Sequence, residues 1–345
     1  YAYSALSYKT KVPSVLLLLA TGIGARMAFE ELGYELPETR LIVEFFGIVG
    51  LILIVLEGAL DLRLRRDKLW TIVRSFFSAM VILVVSALCI ALGLQLFLQD
   101  ISFYTCLVNA IPFAVISSAI AIPSVGQIHE QKKEFIIYES IFSDILGILF
   151  FNAVVNNPTF EAQSAAWMIG DFFIILIVWL LVSALIIVFI DKTTMNIKFF
   201  LMIAVMVLLY SFGKMVHLSS LLMILFFGLI LNNLDLFAKK RLKKYLNLDK
   251  LQHGIERFKL VTNESAFLIR TVFFFVFGFT LHLKKMFDPG IIITGIIIVG
   301  IIYFLRFLFL KFLAHRNVTP ELYVAPRGLI TILLFYSIPP ELSLG

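Results

Sequence analysis

Charge is scarce in this chain. Of 345 residues, 15% are charged and 61% are apolar, against about 25% and 45–50% in soluble domains. Mean hydropathy is +0.99. A soluble globular domain is excluded on these grounds. Cysteine is scarcer still: Cys89 and Cys106 both lie in apolar segments. That excludes a disulfide framework and a cysteine metal site. The histidines, His129, His217, His253, His282 and His315, are scattered near the ends of apolar segments, and none has ligand spacing with another. No metal cluster is expected. There is no phosphate-binding glycine loop, no nucleophile elbow and no cleavable signal-peptide pattern. No enzyme chemistry and no cofactor are therefore expected. The 35 phenylalanines read as lipid-facing bulk.

Apolar runs, by contrast, are abundant. Segments of spanning length or near it fall at 12–29, 41–61, 70–97, 104–126, 135–155, 167–190, 197–215, 218–234, 260–283, 291–313 and 327–345, with 1–8 as the tail of an earlier span. The fold class is an all-α polytopic membrane protein with about 11–13 transmembrane helices. Net charge is +6, and the basic residues concentrate in every second connection. Arg63, Arg65, Arg66 and Lys68 fill one such loop, Lys132 and Lys133 another, and Lys311 and Arg316 a third. Lys284 and Lys285 are the exception. This alternation places the basic loops in the cytoplasm and makes the lipid bilayer, not nucleic acid, the partner.

Residues 236–260 are the one long polar interruption. Their apolar positions Leu242, Leu246, Leu251, Ile255 and Phe258 recur at roughly helical spacing, consistent with an amphipathic helix on the cytoplasmic face or with a plain basic connecting loop. The expected organisation is 1–235 as a first group of spans carrying the ion-site helices, 236–260 as the linker, and 261–345 as a second group. Both ends are expected to continue beyond the sequence given.

The segment 135–155 carries Glu139, Ser140, Ser143 and Asp144 in its first half. On a helix, Ser140 and Asp144 share a face, with Ser143 beside them. A carboxylate at membrane depth costs several kcal/mol unless it meets water, a cation or a basic partner, so it marks a functional site by default. The preceding span is interrupted by Pro112 and Pro123, which bracket Ser117 and Ser118. Proline frees backbone carbonyls, and these are tolerated at membrane depth only inside protein or beside a water-filled cavity. A second interrupted segment, with Pro326, Arg327, Gly328, Pro339 and Pro340, occupies the corresponding place in the second half, as inverted repeats would produce.

Glu57 ends an apolar run and is either a site residue or a carboxylate hydrated at the interface, as Asp61 is expected to be. Arg306 sits mid-span and needs an anion, since it cannot discard its proton. Spacing alone does not distinguish it from Arg270 as a partner for Glu139.

At these positions the chain resembles the monovalent cation/proton antiporter family of the sodium/proton exchanger type, over essentially its whole length. KVPSVLLLLATGIG and GIVGLILIVLEGAL look like early family spans. YESIFSDILGILFF looks like the Glu-Ser-x-x-Asn-Asp span, and VAPRGLI like the second broken helix. The resemblance implies that Asp144 binds cation and proton, that Ser140 contacts the cation, and that Glu139 pairs with Arg306. It also implies a homodimer in a cell membrane, taken as the bacterial inner membrane. Two departures stand out: Ser143 replaces the usual Asn, and Ala121 and Ile122 replace the Thr-Asp that precedes Pro123.

The implied activity is exchange of Na⁺ or K⁺ for H⁺, electroneutral, by competition at Asp144. Ser140, Ser143, Glu57 and the backbone at Ala121 and Ile122 would complete the cation shell. A non-exchanging channel or membrane sensor on the same scaffold, with 236–260 docking a cytoplasmic partner, is the rival reading.

Overall fold

The structure is a computed structural model. It describes residues 3, 13–33, 40–62, 66–98, 101–125, 130–157, 203–204, 206–208, 210–211, 220–233, 248–281, 287–313, 319 and 321–344. The span expected at 167–190 and most of that at 197–215 lie outside the described residues. So do residues 236–247 of the basic linker.

Among the described residues the structure is helical, without β-strands. The elements are α1 (Ser14–Glu31), α2 (Arg40–Asp61), α3 (Leu69–Phe97), α4 (Phe103–Ala114), α5 (Ser118–Ser124), α6 (Glu130–Asn156), α7 (Ser220–Asn232), α8 (Leu248–Thr280), α9 (Pro289–Leu308) and α10 (Leu329–Tyr336). Leu69–Phe97, Gly254–Thr280 and Pro289–Phe312 are long and apolar enough to cross a membrane; α4 and Met223–Asn232 are shorter apolar helices. This is an all-α polytopic membrane protein.

The chain divides into two compact units, and neither is a continuous stretch. One comprises Tyr1–Leu51, Arg74–Gly147 and Phe267–Gly345; the other comprises Ile52–Val73 and Ile148–Ala266.

In the first unit, α1 and α8 approach closely. A Cβ at Gly22 would meet the backbone of Phe275 and Phe279, and one at Gly278 would meet the backbone of Leu19. Without a hydrophobic drive between helices in lipid, small residues that admit such contact supply the packing. The segment α9 shows how lipid and core are sorted. Ile298, Ile302 and Arg306 are buried, four residues apart on one stripe. Ile291, Ile292, Ile296, Val299 and Phe304 are exposed, as suits a helix whose outer face meets acyl chains. Arg306 is thus carried inward by the same spacing that buries its apolar neighbours.

In the second unit, α7 packs on the end of α2: a Cβ at Gly228 would overlap Ala59 and crowd Leu56. Asn233 Nδ2 donates to Leu62 O at 2.8 Å. Asp61 is paired with Lys259 Nζ at 2.8 Å rather than simply hydrated at the interface.

Two expected boundaries fall elsewhere. The division at 260/261 lies inside α8, which runs unbroken from Leu248 to Thr280. That stretch contains no proline, and its two glycines, Gly254 and Gly278, are tolerated within a helix. The expected span 327–345 is helical only to Tyr336 before a turn and a short 3₁₀ segment at Pro340–Leu342. Pro339 and Pro340 deny the helix its donors and push Ile338 out of helical conformation.

Candidate functional site

The interruption between α4 and α5 sets the site. Pro112 lies within α4 and Pro123 within α5, and the helix is broken at Val115, Ile116 and Ser117, which are extended. A break this deep leaves peptide groups without helical partners. Side chains of α6 and backbone of the second interrupted segment supply them.

Ile116 N–H donates to Ser143 Oγ at 2.8 Å. Ser118 N–H donates to Asp144 Oδ2 at 2.9 Å. Ser117 N–H donates to Pro326 O at 2.9 Å. The two interrupted segments therefore cross, and α6 is hydrogen-bonded to the crossing.

Asp144 is buried. One of its oxygens is held by Ser118, while Oδ1 has no hydrogen-bond partner among the described residues. The positive charge of Arg270 bears on it. Ser140 is buried too, but its hydroxyl donates to Ile137 O in its own helix at 3.0 Å. Ser143 is spent on Ile116. Ala121 and Ile122 lie within α5: Ala121 N–H donates to Ser117 O, and Ile122 O accepts from Val125 N–H. Glu57 belongs to the second compact unit, where it is half-buried.

From the other side, Arg327 Nε donates to Phe113 O at 2.7 Å, and Nη1 donates to Ala325 O. The guanidinium thus satisfies a carbonyl at the end of α4 and one in its own strand of backbone. Gly328 has no room for a side chain, since a Cβ would overlap Ser117 Oγ and Cβ. The glycine is what lets the two segments touch.

Nearer the start of α6, Arg306 Nη2 donates to Glu139 Oε2 at 2.8 Å. Ser78 Oγ donates to the other oxygen, Oε1, at 2.6 Å. Arg306 Nε donates to Glu321 O at 2.9 Å. Glu321 is itself fully buried and takes Lys132 Nζ at 3.2 Å. Sequence reasoning did not single out Ser78, Glu321 or the Ser118 N–H. A serine mid-span and a glutamate in a loop carry no pattern that announces a partner far along the chain.

Comparison with known proteins accords with this geometry. The family model described as "Sodium/hydrogen exchanger, transmembrane" matches residues 1–334. No curated protein matches. Among solved structures, the sodium proton antiporter MjNhaP1 from Methanocaldococcus jannaschii at pH 8 is similar, with a TM-score of 0.73 at 19% identity, covering 97% of this chain and 82% of that one. An electron-microscopy structure of the same antiporter gives a TM-score of 0.68 at 20% identity, covering 97% and 80%. At such identity the likeness is one of fold. The chain belongs to the sodium/hydrogen exchanger family, and that membership supports cation/proton exchange and indicates a transporter.

Proposed function

We propose that the protein exchanges one monovalent cation, Na⁺ or K⁺, for one proton by competition at Asp144. The observation that carries this reading is the state of the Asp144 carboxylate. It is buried at the helix break, with Oδ2 held by Ser118 N–H and Oδ1 left without a hydrogen-bond partner among the described residues. Cation and proton each neutralise the charge that attracts the other, so binding is exclusive. Moving an empty, ionised Asp144 across the apolar barrier is costly, so the carrier moves only when loaded. Exchange follows from competition alone.

Glu139 and Arg306 hold α6 to α9. Arg327 and Gly328 hold the second interrupted segment against the first. Ser143 fixes the break by accepting from Ile116, and Ser140 offers its remaining lone pair near the cation. With Ile122 where relatives carry a carboxylate, Asp144 is the one acid of the site in the first unit. Glu57 would contribute a second proton only if the cycle moved net charge. We place the protein as a homodimer in the bacterial inner membrane, with the basic stretch 236–260 as the surface for a cytoplasmic regulatory partner.

One-for-one exchange leaves both half-cycles with the same net charge. A membrane potential shifts a transition by about 2.3 kcal/mol per charge per 100 mV, so no voltage bias is expected. Purified protein in liposomes with an internal pH dye, with the potential set by gradients of a permeant anion such as thiocyanate so that no candidate cation is varied, should acidify or alkalinise on Na⁺ pulses to the same end point at every potential. An end point that moves with potential would rule out one-for-one stoichiometry and point to Glu57.

A further inference from the structure

Around the crossing of the two interrupted segments, three buried side-chain oxygens have no hydrogen-bond partner among the described residues: Asp144 Oδ1, Ser117 Oγ and Thr331 Oγ1. Relative exposures are 5%, 1% and 8%. A buried hydroxyl left unpaired costs free energy, and each instance requires a reason. All three residues belong to the first compact unit.

Their placement is related. Ser118, which follows Ser117, binds the second oxygen of Asp144 through its N–H. Ser117 Oγ lies against Gly328, where a Cβ would overlap it. Thr331 is three residues beyond Gly328, on the same face in the first turn of α10. Of the other hydroxyls near Asp144, that of Ser118 bonds the same carboxylate, Ser143 accepts from Ile116 N–H and Ser140 donates to Ile137 O. The neighbouring Arg327 directs Nε and Nη1 at the carbonyls of Phe113 and Ala325.

We infer that Ser117 is a ligand of the transported cation, its Oγ facing the same ion as Asp144 Oδ1, with the Thr331 hydroxyl closing the shell from the second interrupted segment. The chemistry is that of a hard monovalent cation, which takes carboxylate, hydroxyl and carbonyl oxygens. The assignment rests on the exchange reading above. It replaces the missing carboxylate before Pro123 with hydroxyls drawn from both interrupted segments, and it makes Ser117 the residue that sets cation preference. An ion held between them would also draw the segments together.

The test uses the full chain in proteoliposomes, with Na⁺, K⁺, Li⁺ and Tl⁺ each added to vesicles loaded with a pH dye. Ser117→Ala should raise the half-saturating Na⁺ concentration about tenfold, the loss expected for one ligand worth about 1.4 kcal/mol. Its melting temperature should stay near wild type. Thr331→Val, close to isosteric, should raise it by a smaller factor. Ser117→Cys keeps the size but offers a soft sulfur, so it should lose Na⁺ affinity while keeping Tl⁺ affinity. That ratio is readable even where Ser117→Ala folds poorly. Wild-type half-saturation and wild-type cation order in both Ser117 variants would overturn the assignment while leaving exchange intact. A wild-type protein that moves no protons with any of the cations would instead overturn the exchange reading, and this one with it.

Discussion

Glu139 and Asp144 sit on the same helix, both buried, and their surroundings are opposite. Both oxygens of Glu139 are taken, one by Arg306 Nη2 and one by Ser78 Oγ. Asp144 has one oxygen fixed by a backbone N–H and the other without a hydrogen-bond partner among the described residues. A carboxylate with a full set of partners and a neutralising arginine has no reason to accept a cation, and it ties three helices together. A carboxylate with half a set is held in place yet still able to take one. Burial alone does not mark a site; the difference lies in which lone pairs the fold has already used.

The comparison breaks most visibly at Asp144. Asp144→Asn should abolish Na⁺-driven proton movement while leaving the protein inserted and folded, read by dye-loaded liposomes and by thermal unfolding in detergent. Full exchange in the purified variant would end the reading.

Glu139→Gln should do the reverse. Removing one partner of a buried pair typically costs about 3–5 kcal/mol, because the other charge is stranded. Melting temperature and yield should fall well below those of Asp144→Asn. Replacing Arg306 by Met in the same chain should recover part of the loss, since no charge is then stranded. If Glu139→Gln melts like the wild type, Arg306 is not held by that pair.

Gly328→Ala sharpens the contrast at the crossing. The added methyl would collide with Ser117, and overpacking of this kind costs about 1–3 kcal/mol. Exchange should suffer more than stability, because the segment displaced is bonded at Pro326 O to Ser117, next to the Ser118 N–H that holds Asp144. An unchanged transport rate would show that the crossing can widen without consequence.

The smallest effect belongs to the second unit. Lys259 and Asp61 pair at 2.8 Å with about a third of each side chain exposed. Such pairs contribute at most about 1 kcal/mol. Lys259→Met should shift melting only slightly and leave exchange untouched. A large loss would mean that this pair, and not only Glu139 with Arg306, is structural.

Much of this was readable before the fold was known, and the residues say why. An apolar run of about twenty residues has no option but to span, so α3, α8 and α9 followed from hydropathy. Asp144 stood out because a carboxylate there needs a reason. The break between α4 and α5 was signalled by Pro112 and Pro123. Other features were not legible. Ser143, expected beside Asp144 as a ligand, also accepts from Ile116 N–H across the helix break. Spacing left Arg270 and Arg306 equivalent, yet Arg306 binds Glu139 while the charge of Arg270 bears on Asp144. The helix after Gly328 stops at Tyr336, short of the expected end.

The sequence by itself determined the solvent, the helical class and the presence of an acid that must be used, because hydropathy and charge cost are properties of the residues alone. Tertiary structure decided which acid is spent and which is open. That depends on where backbone N–H groups freed at one break fall relative to side chains on another helix. Ser118 N–H reaches Asp144 and Ser78 reaches Glu139 only once the segments cross. No periodicity along one helix encodes a partner on another.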